Sequence, residues 1–411
     1  MKKNLLSILT LALLVSCGAR PDGEFTVTVK NELGIDRTDE MVEIPMSDIT
    51  ARVMLVEDET YWVVNEKGEQ LPQQITFDGK LMFPVSIKAH GTATFKIIPG
   101  EAQEIEPMVE GRHYPERVDD IAWENDVTAY RCYGPALQAS GEKAYGYDVW
   151  VKNKPYPVVS ERYANELNPE TQQQIADLRK DHRFEEADQL YHSISYHVDH
   201  GNGLDCYKVG PTLGGGTAAL MDGEEIVYPY CWAKYEIMEN GPLRFMVKLT
   251  YNPFAYQEDT LVETRIISLA KGSQLNKTTI SFSGLSKDAP LAAGIVVHPE
   301  NTEEYVLNTE KAYMGYRDLT DNIHNDNGDI YVGIVAPWAK ETKYQPFGPK
   351  EAGIRGASGH LLAIGNLQPE SVATYYWGSA WSKAGWQSMD EWEKYLSDYA
   401  DRLKNPLKVN Y

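Results

Sequence analysis

The feature that most limits what this chain can become is a long succession of short, β-branched runs separated by turn residues. Phe25, Val27 and Val29 point one way, and runs at 51–56, 61–64, 81–85 and 94–98 follow before residue 100. Turn signals such as Asn65-Glu66-Lys67-Gly68 and Asp78-Gly79 fall between them. A period of two sends alternate side chains to opposite faces, so each run buries one face only against another sheet. After an acidic connector at 101–110 that contains Pro107, further runs occupy 127–130, 144–150, 233–238, 243–250, 260–269, 275–282, 292–298, 331–335, 361–364 and 371–377. No alternation of strand with helix appears, which excludes a parallel α/β sheet. The expected fold is mainly β: an N-terminal β-sandwich region at 25–105 and an antiparallel β-supersandwich at 106–411, with few helices.

Two helices are predicted. Asn168 is an N-cap with Pro169 at the first helical position, leading into Ile175, Leu178, Phe184, Ala187 and Tyr191. Ser388 and Glu391 form a capping box ahead of Trp392, Tyr395, Leu396, Tyr399 and Leu403, a stripe expected to pack on a sheet.

Charge narrows the function. Lys and Arg total 39 against 60 Asp and Glu, a net charge of −21 over 411 residues, which argues against nucleic acid as a partner. Aromatics lean to 26 Tyr and 9 Trp against 9 Phe, a bias that suits sugar stacking as well as a β-rich core.

The N-terminus carries an address. Met1-Lys2-Lys3 precedes an apolar run at 5–15, and Leu14-Val15-Ser16-Cys17-Gly18 is similar to a bacterial lipobox. That resemblance implies a signal peptide at 1–17, lipidation of Cys17 and a tether at 18–24. No later stretch reaches about 18 continuous apolar residues, so the expected body is held at a membrane of the cell envelope through its lipid alone. Cys132, Cys206 and Cys231 remain. A Cys132–Cys206 disulfide is open, with buried free thiols the simpler expectation.

Two segments hold more polar and aromatic groups than a strand or helix needs. The first, 112–135, brings Arg112, Arg117 and Arg131 together with Glu116, Asp119, Asp120, Glu124 and Asp126 around Trp123 and Tyr133. Such a set is either a buried salt-bridge network or a subsite in which Arg grips a sugar carboxylate and an aromatic ring stacks on the sugar. The second, 196–210, holds His197, Asp199, His200, Asp205, Tyr207 and Lys208 between Gly201, Gly203 and Gly210. These are competent for general acid–base work. His197, Asp199, His200 and Asp205 are also possible metal ligands, but their spacing matches no strong zinc pattern, so no metal or other cofactor is assigned. The glycine-rich run at 210–216 lacks the Gly-Lys-Ser/Thr ending of a phosphate loop and is expected to turn tightly at a rim. His298 and His360 stand alone at strand edges, structural by default, although His298 could enter a cleft from an opposing sheet.

The run 263–282 resembles the paired central strands of galactose-mutarotase-like supersandwiches, which occur in aldose epimerases, glycoside hydrolases and polysaccharide lyases. The lipobox, the 117–126 and 203–210 segments and the tail Tyr376-Trp377-Gly378-Ser379-Ala380-Trp381-Ser382-Lys383-Ala384-Gly385 together are similar to a family of uncharacterised lipoproteins from the polysaccharide-utilisation loci of Bacteroidetes. The resemblance implies a glycan partner and assigns no residue roles. Three readings follow. The first is a lyase on a uronic-acid-containing glycan, with Arg117 or Arg131 neutralising the carboxylate, His197 or His200 as base and Tyr207 as acid. Trp123, Glu124, Asp126, Asp205, Lys208 and Trp381 are its expected binding residues. The second is a glycoside hydrolase pairing Glu124 or Asp126 with Asp199 or Asp205. The third is a non-catalytic glycan binder with an exposed row of Trp377, Trp381 and Trp386. The sequence gives no oligomeric state. Both enzymatic readings require the two polar segments to meet in space.

Overall fold

A computed structural model describes residues 23–103, 105–319 and 325–411. The predicted signal peptide and Cys17 lie outside the described residues. The fold is mainly β, in antiparallel sheets with few helices. None of the described helices is long and apolar enough to cross a membrane.

The chain first builds a small sandwich. Strands Phe25–Lys30, Thr92–Glu101, Glu59–Val64 and Gln70–Leu71 form one sheet, and Arg37–Pro45, Lys80–Ile87 and Gln74–Ile75 the other. Phe25, Val27, Val29, Ile44, Phe83 and Ile97 fill the space between them, as their alternation requires. The C-terminal strand Lys408–Asn410 returns to pair with Phe25–Lys30, a contribution that a linear boundary at 105 does not include. Arg37 donates to the carbonyls of Arg402 and Asn405, tying this module to the C-terminal helix.

The body is a larger two-layer assembly. Eight strands run in the order Trp232–Asn240, Arg244–Tyr251, Asp259–Ala270, Leu275–Ser283, Ala373–Trp381, Ile330–Val335, Tyr313–Asp318 and Tyr305–Asn308. Facing them are two five-stranded sheets. One contains Glu110–Tyr114, Asp120–Glu124, Ala129–Cys132, Tyr147–Lys152 and Gly203–Asp205; the other contains Glu225–Val227, Gly215–Asp222, Ala289–Val297, Gly359–Leu367 and Glu341–Pro346. A parallel bridge between Tyr147 and Gly214 joins these two sheets edge to edge into nearly one layer. Gly214 is required there: its φ is 56°, and a Cβ would lie 2.4 Å from the Tyr147 carbonyl oxygen. The glycine-rich run is therefore the seam between two sheets rather than a rim loop.

The C-terminal helix Met389–Lys404 begins as expected, with the Ser388 hydroxyl accepting from the Glu391 N–H. Trp392 and Leu396 are buried on the outer face of the long sheet. The helix expected from Asn168 to Tyr191 is two helices, Pro169–Lys180 and Phe184–Ile194. His182 takes φ 60°, its N–H donates to the Arg179 carbonyl and that of Arg183 to Leu178, a Schellman ending that stops the first helix. An additional helix, Val159–Glu166, covers the outer face of the 120–124 sheet.

Candidate functional site

Strand alternation builds the floor of the site. In Ala129–Cys132, Tyr130 and Cys132 face the main core, so Arg131 points to the opposite face, where Asp148 and Asp205 on neighbouring strands also lie. Arg131 is 4% exposed. Its Nε donates to Asp148 at 2.8 Å and its Nη2 to Asp205 at 2.8 Å, with Asp120 at 3.7 Å from Nη1. Three carboxylates thus surround one guanidinium. Burial pushes the Asp205 carboxyl up to about 7, helped by Asp148 and opposed by Arg131 and His197. Burial likewise raises Asp120 to about 6 against the pull of Arg131 and Arg117. Asp120 Oδ1 and Arg131 Nη1 have no hydrogen-bond partner.

Arg117 reaches the same place from a strained turn. Val118 and Asp119 both have positive φ, 45° and 65°, and for a β-branched residue that is a true outlier. The turn is held because Gly134 packs against it so closely that a Cβ would sit 1.9 Å from the Asp119 carbonyl oxygen. Arg117 Nε donates to the Tyr196 hydroxyl at 2.9 Å, and none of the described carboxylates forms an ion pair with it.

The link from Asp205 to Gly210 carries Tyr207 and Lys208 across the seam toward the second sheet. The Tyr207 hydroxyl is buried without a hydrogen-bond partner, and burial, then Asp318, pushes its pKa well above the ordinary phenol value, so it holds its proton. Its ring meets His298 edge to face, centroids 5.9 Å apart. His298 follows the end of Ala289–Val297, and its Nδ1 lies 2.7 Å from Asp318 Oδ2. Burial disfavours the imidazolium, but Asp318 more than offsets this and holds His298 above the ordinary histidine value. Nδ1 is thus the ring nitrogen held by Asp318. Arg117, Arg131, Tyr133, His197, Asp205, Tyr207, Lys208, His298 and Arg355 line one cavity of about 430 Å³. Arg355 Nε is held by Glu351 at 2.7 Å.

A family model described as "Domain of unknown function (DUF4861)" matches residues 29–409. The chain belongs to the DUF4861 family. A relative from Formosa agariphila, named "Uncharacterized protein P7", is 27% identical over 99% of this chain and 98% of its own length. Among solved structures, an alpha-mannosidase from Enterococcus faecalis V583 is similar at 10% identity with a TM-score of 0.43, over 95% of this chain and 46% of its own. A glycosyl hydrolase family 38 protein from Enterococcus faecalis gives 11% identity and a TM-score of 0.44, over 95% and 47%. The DUF4861 chain therefore spans a little under half the length of these two structures.

In this DUF4861 member the two polar segments do meet: Arg117, Arg131 and Tyr133 share the cavity with His197, Asp205, Tyr207 and Lys208. Other expectations need correction. Arg131 is neutralised by its own aspartates, so it organises the floor rather than gripping a ligand. His200 Nε2 bonds the Ser195 carbonyl at 3.0 Å and does not line the cavity. Trp123 is core, stacked on Phe245 and donating to Asn276 at 2.7 Å. Glu124 pairs with Lys152 at 2.6 Å and accepts from the Val158 and Val159 N–H groups, anchoring the Val159–Glu166 helix by its positive end. Asp126 accepts from the Gly272 N–H. Trp377 and Trp381 are buried, Trp381 donating to the Asn327 carbonyl, and Trp386 packs on Trp392, so they form no exposed row. Asp199 Oδ1 accepts from Gly201 and Gly203, holding a turn. Cys132, by contrast, carries the free, buried thiol that the simpler expectation gave it.

Sequence reasoning left His298 as structural by default, with entry into a cleft from an opposing sheet as its alternative, and did not select Asp318 or Arg355. The available signal was weak: His298 ends an apolar strand in Val296-Val297-His298-Pro299, where a buried histidine needs a partner, and Asp318 lies 20 positions away on another sheet.

Proposed function

We propose that this protein is a lyase that cleaves a uronic-acid-containing glycan by β-elimination. One observation carries the reading. On a chain of net charge −21, Arg117, Lys208 and Arg355 line the same cavity as Tyr207 and the Asp318-held His298. A local cationic cavity suffices on an acidic protein because charges act strongly only within about 8 Å at physiological salt.

In this reading Arg117, the guanidinium without a carboxylate of its own, grips the substrate carboxylate and so acidifies the adjacent C5–H. His298 takes that proton through Nε2, and Asp318 stabilises the imidazolium that results. Tyr207 gives its phenolic proton to the departing glycosidic oxygen as the C4–O bond breaks and the C4–C5 double bond forms. Once the product leaves, His298 gives its proton to solvent and the Tyr207 phenolate takes one from solvent, which restores both groups. His197, half exposed with Nδ1 3.0 Å from the Asp205 carbonyl oxygen, stands at the rim. The hydrolase alternative has less support, since Glu124 and Asp126 are engaged elsewhere and Asp205 is bonded to Arg131.

The test is to incubate the protein with pectic, ulvan and glucuronate-containing glycans, following ultraviolet absorbance of the unsaturated product and new reducing ends in parallel. Absorbance rising with reducing ends supports elimination. Reducing ends without absorbance identify a hydrolase, and neither signal on any uronate glycan removes the enzymatic reading. The same reading puts the protein in the cell envelope through a lipid on Cys17. Labelled fatty acid should enter the wild-type chain in a bacterial host and fail to enter Cys17→Ser.

A further inference from the structure

We infer that a second cavity, on the far side of Arg355, holds the sugar residue next to the uronate, so that the substrate is at least a disaccharide. This rests on the lyase reading of the first cavity. The second cavity, about 490 Å³, is lined by Tyr145, Tyr228, Lys143, Pro211, Glu351 and Arg355 among others.

The two spaces are built from the same segments. Glu142 and Ala144 line the first and Lys143 and Tyr145 the second; Gly210 lines the first and Pro211 the second. Arg355 lines both and forms the wall between them. A glycan that extends past Arg355 from the first cavity therefore meets the second.

The chemistry of the second cavity differs from the first. Tyr145 and Tyr228 adjoin in its wall, 5.5 Å apart with their planes 34° from parallel. The Arg355 guanidinium sits 4.1 Å from the centre of the Tyr228 ring, which fixes that ring while Glu351 and the Pro211 carbonyl hold the guanidinium. An aromatic face meets the C–H face of a pyranose, and the polar edge is served here by Lys143 and Glu351. No group in this second set resembles the Tyr207, His298 and Asp318 arrangement, so it binds and does not react.

The probes are methyl glycosides of glucuronic and galacturonic acid and disaccharides in which each uronate is joined to a neutral hexose on one side or the other. Affinity is measured by calorimetry on the full chain. One disaccharide series is expected to bind about tenfold tighter than its methyl glycoside, equivalent to about 1.4 kcal/mol. Tyr145→Ala and Tyr228→Leu should each remove most of that gain and leave methyl glycoside binding within about twofold, with thermal midpoints recorded to show that both variants fold. Disaccharides no tighter than methyl glycosides, or a gain that survives both substitutions, overturn the second cavity while leaving the first intact. Failure of the methyl glycosides to bind, with Arg117→Ala changing nothing for any probe, overturns the underlying reading and this inference with it.

Discussion

The sheet carrying Asp120–Glu124 holds two buried ion clusters, and they differ in how fully their atoms are satisfied. At Lys152, the ammonium donates to Glu124 Oε2, the Asn125 carbonyl and the Tyr156 carbonyl, while Glu124 Oε1 takes two helix N–H groups. Every proton and both oxygens have work. At Arg131, one guanidinium faces Asp120, Asp148 and Asp205, two of those carboxyls are pushed upward by burial, and Arg131 Nη1 and Asp120 Oδ1 lack hydrogen-bond partners. A complete cluster closes the fold; an incomplete one beside a cavity leaves capacity for a ligand.

The sharpest break of that comparison concerns catalysis. His298→Gln and Arg117→Ala should each lower elimination about a thousandfold, at the upper part of what a positioned proton-transfer or charge-stabilising group supplies. Lys152→Met should leave the chemistry of the folded fraction nearly unchanged. Turnover of refolded, monodisperse protein checks this. A Lys152→Met enzyme as impaired as His298→Gln would erase the distinction between the scaffold cluster at Lys152 and the groups that line the cavity.

The next effect is on stability and runs the other way. Lys152→Met leaves Glu124 buried without its cation and should cost about 3 kcal/mol or more, read as a lower denaturant midpoint. Arg117→Ala, at a half-buried position with no ion pair among the described residues, should cost about 1 kcal/mol or less. Equal midpoints for the two variants would contradict the assignment of Lys152 to the scaffold.

Much of the fold was legible in the sequence because period-two alternation is a local signal and each strand carries its own copy. The cap at Ser388 and the start at Asn168 were legible for the same reason. The helix break at His182 was not, since a histidine in the left-handed region carries no glycine to announce it. For the site, the meeting of the 112–135 and 196–210 segments followed from residue chemistry. Which members face the cavity did not, because Arg131 and Trp123 are told apart only by strand register and by what lies above each face. Glu124 looked like a binding acid and is a helix anchor, a role set by Lys152, 28 positions away. His298 was read as structural by default, with entry into a cleft left open, because its value comes from Asp318 on another sheet.

A moderate effect should appear in the pH profile. Asp318 raises His298, opposing burial, with Glu300 also raising it and Lys208 lowering it, and Tyr207 packs against its ring. If His298 must be neutral to accept a proton, kcat/KM rises with pH through a midpoint above the ordinary histidine value of about 6.5. Asp318→Asn should move that midpoint downward and cut the plateau about tenfold or more, since the imidazolium loses its stabilising anion. A midpoint that stays fixed in Asp318→Asn assigns the limb to another group, with His197 the first to examine.

The smallest effect separates the two clusters by proton linkage. Asp205 titrates near 7 in the folded chain and near 3.8 as an ordinary aspartate, with Asp148 sharing the same guanidinium, so the native state keeps a proton that the unfolded chain has already released. Stability from this source is full below about 3.8 and is lost as pH rises toward and through 7, at up to about 1 kcal/mol per pH unit. Asp205→Asn keeps an oxygen for Arg131 and removes the titration, so its stability should be flatter than wild type between pH 4 and 7 and should equal or exceed it above pH 7. Denaturant midpoints at pH 5, 6, 7 and 8 measure the difference. Parallel curves for the two proteins would mean that Asp205 is fully ionised in the fold and that the Arg131 cluster is as well satisfied as the one at Lys152.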